Sequence, residues 1–147
     1  MQLVQHLQNN TIMNAEMIAN GLRMEYPDIY TRLISKISAM VPVTDESGDV
    51  QRIIRKYCAH QGIDKYCLKI SSAHRKRLLA VCILIMQPEK MNGYSQRRLK
   101  NGIISSISQH CGCSEGSLKN FVSEVISHYD VYSSFRDEIN AVAAKIK

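Results

Sequence analysis

The stretch Ile103 to Phe121, IISSISQHCGCSEGSLKNF, is the most constrained part of this chain. Leu99, Ile103 and Ile107 recur four apart, the spacing of one helix face. The small residue Ser108 follows, where a second helix can cross closely. Gly112 stands four residues further on and takes positive φ without steric cost. Cys113 is the apolar residue expected to turn inward, and Ser114 is a small polar residue suited to cap a new helix. Leu118 and Phe121, four and seven residues after that cap, share the face that must be buried. The segment therefore predicts two helices joined by a short glycine turn.

The same period extends outward in both directions. Downstream, Glu115 to about Tyr129 forms the second helix of the pair, and Phe135, Ile139, Val142 and Ile146 mark a last helix from about Ser133. Upstream, Ser95 is placed to cap a helix Gln96–His110, preceded by the turn PEKMNGY, 88–94. Ser71 or Ser72 caps a helix running to Gln87 and stopped by Pro88, whose second half, LLAVCILIM, is apolar on all sides and so central. Before it come a short segment Asp64–Ile70 and a helix capped by Asp49 and stopped at Gly62, with Val50, Ile53, Ile54 and Tyr57 inward. The N-terminal part predicts a short helix Asn14–Met24. A second helix starts near Pro27, buries Ile29, Leu33, Ile37 and Met40, and ends at Pro42. No run alternates as a strand does, and Asn92-Gly93 and Asn101-Gly102 lack β-branched flanks. The expectation is an all-α fold of six or seven helices around one core.

Composition narrows the function classes. The chain has 147 residues, enough for one domain or two small units. Its longest apolar run, Leu78–Met86, is too short for a membrane span, which needs about 20 residues. Its start, MQLVQHLQNN, lacks the basic and apolar regions of a secretory signal. Five cysteines without a regular framework point to a reducing, cytoplasmic setting.

The net charge of +6 is concentrated. Residues 51–100 carry twelve Lys/Arg against Asp64 and Glu89, whereas residues 1–50 carry three against six acids. The chain thus reads as an acidic helical region at 1–48, suited to an interaction, and a basic helical domain at 49–147. A basic block of this kind is the footprint expected of a polyanion-binding surface, although a solvated helix face can have the same composition. Few aromatics are left to stack on bases, which disfavours single-stranded nucleic acid.

The pattern Ile107, Ser108, Gly112, Cys113, Ser114, Leu118, Phe121 resembles the helix-turn-helix unit of DNA-binding proteins over about residues 103–128, within a unit at 96–129. An ordinary helical hairpin satisfies most of the same constraints. The resemblance implies that Glu115 begins a recognition helix in the major groove. Ser114, Glu115, Ser117, Lys119, Asn120 and Ser123 would then face base edges. Asn can bridge adenine, Glu can accept from cytosine, and Ser can bond either base edges or phosphates. Arg97, Arg98 and Lys100, at the start of the preceding helix, would grip phosphates, with Arg75, Lys76 and Arg77 as a second phosphate patch. Against this, Gly116 weakens the first turn of the recognition helix, and Glu115 and Glu124 outnumber its single Lys119.

Other constellations are weaker. His110, Cys111 and Cys113, and Cys58, His60 and Cys67, form no zinc-binding spacing, so no metal or cofactor is expected. No nucleophile elbow or P-loop occurs, and His110 and Cys111 are helix neighbours that do not face each other, so no enzymatic activity is expected. Tyr129, Tyr132 and Phe135 recur three apart, as core residues or a dimer contact. The apolar seam of the last helix suggests a homodimer, in which two recognition helices would reach successive groove turns. The functional expectation is double-stranded DNA binding, as a transcriptional regulator or a mobile-element accessory factor. The alternative is a helical adaptor, inhibitor or immunity-type module whose basic face docks an acidic protein.

Overall fold

The computed structural model describes residues 15–39, 48–95, 98–100 and 102–147. The described residues form nine helices and no strand: α1 (Ala15–Glu25), α2 (Pro27–Ala39), α3 (Gly48–Gln61), α4 (Lys65–Ile70), α5 (Ser72–Met86), α6 (Pro88–Met91), α7 (Ile103–Cys111), α8 (Glu115–Val131) and α9 (Ser133–Ile146). The all-α expectation holds, with more helices than the six or seven read from periodicity. One addition is α6. Pro88 stops α5 but also starts a single new turn, because its locked φ suits a first helical position.

The chain divides into two units after Ala39. In the first, α1 and α2 pack as a hairpin, and none of their side chains is buried. The face expected to be inward is open: Ile29 and Ile37 are exposed and Leu33 is half-buried. Met40, Pro42 and residues 44–47, part of the loop expected over Thr44–Gly48, lie outside the described residues.

The second unit holds the core, and α5 is its axis. Leu78 to Ile83, Ile85 and Met86 are all buried, because α3, α4, α6, α7, α8 and α9 each pack against this helix. A helix surrounded in this way cannot carry polar residues on any side, which accounts for the unbroken apolar run. Each fully buried Leu or Ile contributes about 1.5–3 kcal/mol. Ser71 caps α5 by accepting from the His74 N–H at 3.3 Å. Gly62, at φ 65°, closes α3, which begins at Gly48, so that Asp49 lies within its first turn rather than capping it. Asp64 caps α4 by accepting from the Cys67 N–H at 2.9 Å.

The apolar residues of α9 serve the same core. Ile139, Val142, Ala143 and Ile146 are buried within their own chain, so the seam expected to pair with a second copy is already occupied. The aromatic stripe divides by burial. Tyr129 is buried and its hydroxyl donates to Asn140 Oδ1, Phe135 is half-buried, and Tyr132 is exposed. No helix among the described residues is long and apolar enough to cross a membrane.

Candidate nucleic-acid interface

The turn between α7 and α8 is three residues long, Gly112 to Ser114. Gly112 is left-handed at φ 69°, and its N–H donates to the Ser108 carbonyl at 2.9 Å. The Ser108 hydroxyl donates to the Cys113 carbonyl, fastening the end of α7 to the far side of the turn. The Ser114 hydroxyl then accepts from the Ser117 N–H at 3.2 Å and caps α8. Ile107 and Leu118 are fully buried, and Cys113 and Phe121 pack against the core from its edge. The Lys76 ammonium lies 4.9 Å above the Phe121 ring, a cation–π contact.

Of the residues expected to face a groove, Ser114, Glu115, Lys119, Asn120 and Ser123 are exposed and Ser117 is half-buried. Glu115 and Lys119 line a cleft of about 460 Å³ together with Arg98, Lys100, Gly102 and Ser105. Leu99, Ile104 and Val122 form its apolar part. Ser123 borders a separate hollow beside Asn92 and Asp130.

Arg98 and Lys100 reach this cleft by a route the helical period did not indicate. The helix expected from Gln96 begins only at Ile103, and residues 98–100 are not helical. Two causes are visible. Gly102, at φ 95°, takes a backbone conformation no helix contains. Gln87, 3% exposed in the core, claims the backbone of the segment before it. Its side chain donates to the Arg98 carbonyl at 3.1 Å and accepts from the Lys100 N–H at 2.8 Å. Arg98 and Lys100 therefore sit on a tethered non-helical segment rather than in a helical first turn. Arg97 lies outside the described residues.

The Arg75–Arg77 cluster is engaged within the fold. Arg75 Nη1 donates to the carbonyls of Leu68 and Lys69, at 2.9 and 2.6 Å, closing the C-terminus of α4. Lys76 binds Glu124 of α8 at 2.8 Å, and Arg77 binds Glu138 of α9 at 2.9 Å. Cations at the start of a helix oppose its dipole. Here the negative end of α4 and two carboxylates offset that cost. The bond from Lys76 holds the Glu124 carboxyl below its usual range. Lys76 and Arg77 therefore serve packing, and Glu124, one of the three acids of α8, is neutralised.

Burial together with the nearby Lys65 and Arg55 cations pushes the His110 imidazole below its ordinary value. The five cysteines are free thiols. Burial raises Cys111 to about 12, so it is an inert packing residue. Among the described residues no group of three or more His, Cys, Asp or Glu is placed to hold a metal ion. No known family model, curated protein or solved structure matches this chain.

Proposed function

We propose that this chain binds double-stranded DNA through α7 and α8, as a transcriptional regulator or a mobile-element accessory factor. Glu115, Lys119 and Asn120 would lie at base edges, and Arg98 and Lys100 on the adjoining phosphates. The observation that supports this reading is the cleft in which Arg98 and Lys100 stand beside Glu115 and Lys119. A groove-reading helix needs its phosphate-gripping cations next to its own first turns, since phosphate contacts set the register in which bases are read. Ser114 and Ser117 add small hydroxyl groups at the same helix start.

The test is a mobility-shift selection from a random duplex pool at two salt concentrations, with sequencing of the bound fraction. The expected result is salt-dependent binding with an enriched motif. Absence of duplex binding at low salt overturns the reading and leaves the basic face to an acidic protein partner.

A further inference from the structure

The basic block divides by what its cations touch. Lys56 donates to the Ile146 carbonyl, Arg75 closes α4, and Lys76 and Arg77 pair with Glu124 and Glu138. Arg55, Lys65 and Lys69 are exposed and have no ion pair or hydrogen bond from their side chains among the described residues. Lys65 and Lys69 come together at the turn. Lys69 Cδ lies 4.0 Å from where a Cβ on Gly112 would stand. Lys65 and Lys69 border an open hollow of about 480 Å³ with Tyr66, Cys111 and Gly112. Arg55 and Lys65 are close enough to His110, in the last turn of α7, to disfavour its protonation. The one acid at the rim, Asp64, has its carboxylate turned to the Cys67 N–H as the cap of α4.

We propose that Lys65 and Lys69 form a second phosphate-binding patch beside the Gly112 turn, separate from the Arg98–Lys100 cleft. This inference rests on the DNA reading above and adds a second backbone contact to it. Gly112, at the edge of this hollow, stands two residues before the α8 cap Ser114, and Glu115 lines the Arg98–Lys100 cleft, so both cationic sites border the start of α8. Its chemistry suits phosphate. Both cations are lysines, mobile point charges that fit single phosphate oxygens without demanding a planar partner. The hollow is open to solvent, so the lysines reach a passing backbone without desolvation.

The experiment compares the full chain with the double variant Lys65→Ala/Lys69→Ala on one duplex across a salt series. Each phosphate contact contributes about 0.9 to the slope of log K against log salt, so the variant's slope should fall by about 1.8. Ethylation interference on the same duplex should lose one cluster of phosphates and keep another. Circular dichroism and melting temperature should be unchanged, because both lysines are exposed. An unchanged slope with the wild-type chain still binding overturns the patch and leaves the DNA reading standing. A wild-type chain that ignores duplex but binds polyglutamate through these lysines overturns both.

Discussion

Gln87 and Lys100 are thirteen residues apart and are joined by a hydrogen bond of 2.8 Å from the Lys100 N–H to the buried Gln87 Oε1. With the second bond to the Arg98 carbonyl, one core amide fixes the segment that lines the cleft. Gln87→Ala removes both bonds and leaves two backbone groups without their partner. Urea denaturation should show a loss of about 1–3 kcal/mol. Duplex affinity should fall as well, although Gln87 is far too buried to touch DNA. A stability loss with unchanged affinity would separate the segment's position from binding.

Gly112 and Gly116 make a matched pair, four residues apart and with room for a methyl group at both positions. Only Gly112 has positive φ. Gly112→Ala should destabilise by about 1–2 kcal/mol through backbone strain alone, and Gly112→Val by more. Gly116→Ala, inside the first turn of α8, should stabilise by about 0.5–1 kcal/mol. Thermal melts of the two variants should move in opposite directions.

Arg75→Ala should lower stability by about 1–3 kcal/mol, since two carbonyls at the end of α4 lose their donor. The slope of duplex binding against salt should stay the same. A reduced slope would return Arg75 to the phosphate-contacting set in which its position in the sequence first placed it.

The pH dependence has a defined direction. The folded His110 pKa lies below that of the unfolded chain, so the unfolded chain takes up the proton first. Stability should decline as pH falls below about 6.5 and level off once the folded ring is protonated. His110→Gln should flatten that decline, as followed by melting temperature between pH 5 and 7.5. Equal pH profiles for the two proteins would remove His110 as the group responsible.

Asn120, exposed on α8, is the strongest candidate for reading a base. Asn120→Ala should cost about 1–3 kcal/mol on the selected motif and almost nothing on random duplex. Arg98→Ala should weaken binding to both equally. Equal losses on both sequences for Asn120→Ala would make it a backbone contact.

Periodicity and caps carried much of the fold. Ile107, Leu118, Ser114 and the apolar run of α5 each follow from a short-range rule, and each behaves as that rule requires. What the pattern missed were long-range decisions. Leu99 continues the spacing of Ile103 and Ile107, yet Gly102 and the distant Gln87 end the helix before it. A glutamine next to Pro88 carries no sign that it will be buried. Cation clusters were equally ambiguous. Arg75, Lys76 and Arg77 look like a free patch in the sequence, and only packing reveals Glu124 and Glu138 opposite them. Lys65 and Lys69 read in the sequence only as members of the basic block, and only the fold brings Lys69 alongside Gly112.

The contact of α5 with every other described helix of its unit has a consequence for amide exchange. No helix from α3 to α9 can leave without uncovering part of α5, so subglobal openings are suppressed there and the amides of α5 should exchange only through complete unfolding. The hairpin of α1 and α2, with no buried side chain, belongs at the opposite end of that scale and should exchange within the dead time of a manual experiment. A single deuteration time course would therefore sort this chain into a protected cooperative block and a rapidly labelled hairpin.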